Sequence, residues 1–213
     1  MIQPLPVEGA ETSEVARHIA QVAARLFATQ GYDATPVRAI VEEAGVTKPT
    51  LYYHYGSKEG LAQALLLRPM AHLDEALRRI LESRGDPVEM LYATFEVHFA
   101  WGREDPDRSR FLFSLFFGPP AKGLIAEMER FKGGMSCVML EIVRHAANAG
   151  LIDEARVEGF ARACRGMIVI SVLDFLYKNQ ELGPGLAKRL VDDLLLGFGK
   201  PGSPAGGLDH GVS

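Results

Sequence analysis

Apolar residues recur at helical spacing along almost the whole chain, and no stretch alternates with period two for long. Gly and Pro fall between the periodic stretches, where they punctuate rather than interrupt them. The pattern predicts an all-α protein of about nine helices, without an internal repeat.

The first helix is expected to begin at Thr12 or Ser13, a capping residue followed by Glu14 in the first turn. Its core face is Ile19, Val22, Ala23, Leu26 and Phe27, and Gly31 ends it. Thr35 is expected to cap a second helix with Pro36 in its first position, and Val37, Ile40, Val41 and Ala44 repeat at offsets 0, 3, 4 and 7. Gly45 stops that helix. A short third helix follows Thr47, with Pro49 tolerated in its first turn, and Ser57 caps a fourth that Pro69 is expected to interrupt or bend. Gly60 should weaken the first turn of this fourth helix by about 1 kcal/mol relative to Ala.

Asp86-Pro87-Val88-Glu89 joins an Asp cap, a Pro and a Glu in capping-box order and opens a fifth helix. Asp105-Pro106 repeats the signal for a sixth, ended by Gly118-Pro119-Pro120. A seventh should run from about 121 to 149 with a kink at Gly133-Gly134, an eighth from about 153 to 179 and a ninth from 185 to 198. Residues 199–213 are rich in Gly, Pro and Ser and read as a flexible tail.

Composition adds bounds. The chain has 213 residues, 47% of them hydrophobic, enough for a proper core. No leader-like start and no apolar run of membrane-spanning length is present, so a cytoplasmic protein without membrane attachment is expected. Cys137 and Cys164 stand without a CxxC pattern or a His/Cys cluster, which predicts two buried, reduced thiols and no metal site. No cofactor fingerprint occurs. Glu141 with His145 and His72 with Glu75 stand alone, as does His98 near Trp101, and they do not assemble a di-iron or hydrolytic constellation. No catalytic residue and no enzyme is expected. A net charge of −4 argues against general affinity for nucleic acid. Residues 1–60 hold five basic residues against seven acidic ones, so any DNA contact must come from a few placed cations and helix N-termini.

The stretch TPVRAIVEEAGVTKPTLYYHY, residues 35–55, nevertheless reads as two short helices joined by a tight turn at Ala44-Gly45-Val46. Ile40, Val46 and Leu51 are expected to face inward against Phe27, which leaves Lys48, Pro49, Thr50, Tyr52, Tyr53 and His54 outward. That surface offers a cation, a hydroxyl and apolar area to a major groove. Tyr52 and Tyr53 would also fit as ordinary half-buried aromatics.

From Ser13 to about Leu66 the chain resembles the DNA-binding domain of the TetR family of bacterial repressors. The resemblance rests on Gly31-Tyr32, Ala44-Gly45-Val46, Thr50-Leu51-Tyr52 and Ser57-Lys58-Glu59. It implies that Lys48, Pro49, Thr50 and Tyr52 face bases, that Arg38 reaches DNA from the second helix, and that Thr47, Tyr53, His54 and Lys58 hold phosphates. Tyr55 departs from the Phe more usual there, and its hydroxyl needs a partner. The implied architecture is a three-helix DNA-binding head, residues 12–56, and a ligand-binding and dimerisation body, residues 57–198.

The resemblance further implies an operator-bound homodimer and a small, largely apolar effector. Candidate cavity residues are Met70, Phe95, Phe99, Trp101, Phe113, Phe116, Phe117, Met128, Phe131, Met135 and Met167, all of which fit plain core packing equally well. The eighth and ninth helices carry apolar residues on more than one face and are the expected dimer surface. The alternative is a regulator controlled by a protein partner, or one without an effector. A cavity of several hundred Å³ in the body would favour the effector; a solid core would favour the alternative.

Overall fold

The computed structural model describes residues 13–118 and 124–197, with side chains at 125–132, 135 and 136 outside the description. The described elements are all helical: α1 (Glu14–Gln30), α2 (Val37–Glu43), α3 (Lys48–Tyr55), α4 (Lys58–Ser83), α5 (Pro87–Glu104), α6 (Pro106–Phe117), α7 (Ile125–Asn148), α8 (Val157–Lys178) and α9 (Leu186–Leu196). A 3₁₀ turn, Glu154–Arg156, precedes α8.

Local chemistry sets most helix starts. The side chains of Ser13, Thr47, Ser57, Asp86 and Asp105 each accept a backbone N–H in the first turn of the helix that follows. Thr35 does not cap α2. It is buried, and its hydroxyl donates to the Gly31 carbonyl at 2.8 Å, tying the loop back to the end of α1. Pro69 does not interrupt α4, which runs through it as one helix. Proline there removes one helical N–H, but Leu65, Leu66, Met70 and Leu73 are buried on either side of it, and this packing holds the helix together. Helix α7 likewise runs through Gly133-Gly134.

Two apolar clusters make the interior. One joins Ile19 and Phe27 of α1, Ile40 of α2, Leu51 of α3 and Leu61 to Met70 of α4 with Phe111 and Leu112 of α6. The other gathers Leu73 and Leu77 of α4, Phe95 and Phe99 of α5, Ile142 and Val143 of α7, Ile168 and Val172 of α8 and Val191 of α9. Trp101 and Phe116 pack against both. Helix α6 therefore inserts its aromatic edge into the same core that holds the first three helices. The Phe111 ring lies 4.9 Å from that of Phe27 and 6.2 Å from that of Tyr32.

Cys164 is buried in the second cluster, and burial pushes its thiol pKa up to about 12. Cys137 is exposed, contrary to expectation, because its position on α7 lies off the helix's buried face. Residues 198–213, including Phe198 and the expected tail, and Thr12 lie outside the described residues.

Candidate nucleic-acid interface

The turn between α2 and α3 is closed by backbone bonds alone. The N–H of Ala44 donates to the Ile40 carbonyl at 2.9 Å and that of Val46 to the Val41 carbonyl at 3.0 Å, around Gly45 at φ +64°. This is a Schellman ending, and a residue with Cβ would be strained at its left-handed position. It sets α3 going in a new direction, with Leu51 fully buried on one side.

The opposite side of α3 is open. Thr47, Lys48 and Pro49 are exposed, Thr50 and His54 are half-buried, and Tyr52 and Tyr53 are 45% and 85% exposed. The Thr47 and Thr50 hydroxyls sit 2.8 Å apart, and the Tyr53 and His54 rings meet edge to face at 5.0 Å. The structure thus brings Thr47 to His54 together on one short helix and its cap. An aromatic ring left almost wholly in water on the same short helix as an exposed lysine is poorly explained by packing, whereas both suit a nucleic-acid groove.

Residues 13–60 hold five Lys and Arg against five Asp and Glu, and two of the carboxylates are engaged. Glu42 receives Arg38 at 2.6 Å, and Glu43 receives Arg25 at 2.5 Å. The pair with Glu42 raises the pKa of the Arg38 guanidinium, chiefly through the hydrogen bond. Arg38 is exposed but occupied, so a phosphate would have to compete with Glu42 for it. Lys58 is turned elsewhere: its ammonium lies 4.4 Å from the centroid of the Tyr32 ring, and partial burial pushes its pKa down.

Behind α3, the Tyr55 hydroxyl donates to the Ala16 carbonyl at 2.6 Å, which supplies the partner its ring position requires and ties the end of α3 to the start of α1. Gly60 has a role the sequence did not disclose. A Cβ at this position would stand 2.1 Å from the Tyr55 carbonyl oxygen, so the glycine lets the first turn of α4 pack directly on the end of α3.

These features match known proteins in the same stretch. Residues 19–65 match the family of bacterial regulatory proteins, tetR family. Over these residues the chain is similar to the TetR family. Relatives include the HTH-type transcriptional activator FasR of Mycolicibacterium smegmatis, 34% identical over 43% of this chain and 42% of that protein. The HTH-type transcriptional repressor KstR2 of Mycobacterium tuberculosis is 37% identical over 37% of this chain and 40% of that protein. The chain therefore spans about two fifths of the length of these relatives. Over the whole fold it is similar to AibR, solved in complex with isovaleryl coenzyme A and operator DNA. There the TM-score is 0.64 at 23% identity, covering 85% of this chain and 96% of that one.

The residues singled out for an effector do not gather in one place. Met70 is fully buried in the cluster shared with the head. Phe95 and Phe99 are fully buried in the body, with rings edge to face at 6.0 Å, while Met167 packs half-buried against the same cluster. Trp101 and Phe116 bridge the clusters. Phe113 and Phe117 line a cleft of about 610 Å³ between the α1–α2 loop, the end of α6 and the end of α8. The side chains of Met128, Phe131 and Met135 lie outside the described residues.

Sequence reasoning missed Arg108. It is buried, donates to the Trp101 carbonyl at 3.1 Å, pairs with Glu104 and stacks 4.5 Å from the Trp101 ring. Trp101 in turn donates its indole N–H to the Pro69 carbonyl at 3.3 Å. The arginine joins the starts of α6 and the end of α5 to the middle of α4. Nothing in its local spacing distinguishes it from a surface arginine. Among the described residues no group of side chains could hold a metal, and no helix is long and apolar enough to cross a membrane.

Proposed function

We propose that the protein is a homodimeric transcriptional repressor of the cytoplasm that reads operator DNA with α3 and is released by a small, largely apolar effector. The observation that carries the reading is the open face of α3, where Lys48, Thr50, Tyr52 and Tyr53 project from a helix whose other side is locked by Leu51. Lys48, Pro49, Thr50 and Tyr52 face bases, with Thr47, Tyr53 and His54 on phosphates. Arg38 and Lys58 join them once released from Glu42 and the Tyr32 ring.

The dimer forms through the outer faces of α8 and α9. Ile168, Val172 and Leu176 point into the body, while Ile170, Tyr177 and Leu196 remain 57%, 60% and 84% exposed. Gly159 and Gly166 lie on the outer side of α8 with open space above them, where a second helix can approach closely. Repression agrees with KstR2, and control by a bound small molecule agrees with AibR, solved with isovaleryl coenzyme A and operator DNA.

The coupling runs through shared parts. Helix α4 belongs to both cores, and Arg108, Trp101 and the Pro69 carbonyl link α6 and α5 to it. A ligand that favours one setting of α5 and α6 shifts α4 by its differential affinity for the two settings. Two recognition helices must lie about 34–36 Å apart to dock together, so a small splay suffices. Coupling of about 1–3 kcal/mol is the usual scale, and DNA and effector then weaken each other equally. The second reading, a regulator without an internal effector, is favoured by the complete burial of Met70, Phe95 and Phe99 in packed clusters.

The test begins with selection of bound sequences from a genomic fragment library, followed by titration of the recovered operator. Lys48→Ala and Tyr52→Ala should each lower affinity by about 1–3 kcal/mol per half-site with an unchanged circular dichroism spectrum. Unchanged operator affinity in both variants would show that another surface binds DNA.

A further inference from the structure

We infer that the Tyr32 ring is a brake on DNA binding: in the free protein it holds the Lys58 ammonium, and the cation must leave the ring before it can meet a phosphate. The inference rests on the reading of the head as a DNA-binding unit and concerns how one of its cations is controlled. Lys58 is the first residue of α4, a helix of 26 residues. A cation there faces the positive end of the helix dipole, so helix stability does not call for it. Glu59, next along, has the sign that the dipole favours. The lysine finds its partner across the head instead. Its ammonium lies 4.4 Å from the centroid of the Tyr32 ring and 6.0 Å from that of Phe27.

The ring is not free to follow the cation away. Phe27 of α1 meets it edge to face at 5.2 Å, and the Phe111 ring of α6 lies 6.2 Å from it at 25°. Both of those rings are fully buried, so Tyr32 is held by α1 and α6 together. Partial burial works against the charge of the lysine, and the exposed carboxylate of Asp33 works for it. Attraction to a ring at such a half-exposed place is worth about two- to fivefold in an equilibrium constant. That factor applies to every duplex, because a phosphate contact carries no sequence information. The brake therefore restrains binding to DNA in general. Its support by Phe111 places it under the helix that also packs into the body.

Nuclear magnetic resonance with labelled lysine reads the contact directly. In the free full chain the Lys58 methylene protons next to the ammonium should resonate upfield of those of the other lysines, and a short mixed-sequence duplex should return them to the ordinary position. Fluorescence anisotropy with the same duplex over a range of salt reads the brake. Tyr32→Leu keeps apolar bulk against Phe27 and Phe111 and removes the ring, so it should bind about two- to fivefold more tightly per subunit with an unchanged salt slope. Tyr32→Phe keeps the ring and should bind as the wild type does. Lys58→Met should lower the salt slope by about one per subunit and abolish the gain from Tyr32→Leu. Lys58 protons without an upfield shift in the free protein, a Tyr32→Leu protein no tighter than the wild type, or a gain that survives Lys58→Met would each overturn the brake. A gain that depends on Lys58 in a protein indifferent to Lys48→Ala and Tyr52→Ala would uphold the brake and refute α3 as the reading face.

Discussion

Replacing Gly60 with alanine sets helix propensity against packing at the joint between α3 and α4. In an exposed helical turn the change would stabilise the protein by about 1 kcal/mol. Here the added Cβ would stand 2.1 Å from the Tyr55 carbonyl oxygen and 3.3 Å from its carbon. Carbon and oxygen do not approach so closely without a bond, so one backbone segment must move by about 1 Å. The Tyr55 carbonyl is not free to yield, because it accepts the Ser57 N–H at 2.8 Å. Overpacking of this kind costs about 1–3 kcal/mol, and the strained hydrogen bond adds about 0.5–1.5 kcal/mol. Set against the gain in propensity, Gly60→Ala should destabilise by about 1–3 kcal/mol. Gly133→Ala on α7 is the control, for an added Cβ there meets nothing within 4 Å, and it should stabilise by about 0.5–1 kcal/mol. Urea denaturation followed by circular dichroism reads both signs. Operator affinity should fall with Gly60→Ala, because the displaced joint carries Tyr52 and Tyr53. A Gly60→Ala protein as stable as the wild type would refute the packing argument.

Phe111→Ala should cost about 3–5 kcal/mol, since the ring is fully buried against those of Phe27 and Tyr32 and its removal leaves a cavity. A loss under about 1 kcal/mol in the same denaturation experiment would show that α6 is not part of the head's core. Gly166→Leu should yield monomers in sedimentation, because its outer side is open and a leucine there would hold a second helix away. An intact dimer would remove this face of α8 from the interface.

What the sequence disclosed and what it withheld divide by the range of the interactions. Caps at Ser13, Thr47, Ser57, Asp86 and Asp105 were legible because the donor and acceptor lie within three residues of each other. The outward face of α3 was legible for the same reason, since Leu51 alone is apolar enough to turn the short helix inward. Thr35 carried the right residue type for a cap but found a better bond to Gly31, and only the return of the loop onto α1 decides between them. The pairing of Arg25 with Glu43 spans 18 residues, so a count of charges along the head does not tell which of them are already engaged.

Gly60 shows how a local rule can give the wrong sign. Propensity counted it as a weakness, yet the close approach of two backbones makes it the residue that the joint requires. The same distinction separates the face of α3 proposed to read DNA from the contacts that tie it to the body. A recognition helix presents a short run of consecutive residues, and a motif can therefore reveal it. The Arg108–Trp101–Pro69 link and the contact of Phe111 with Phe27 and Tyr32 are assembled from segments tens of residues apart, so each side chain looks ordinary where it stands in the chain. Conserving the motif while varying these assembled contacts would let related proteins keep one way of reading DNA and change what controls it. The family match covers residues 19–65, and with AibR the chain shares the fold over 85% of its length.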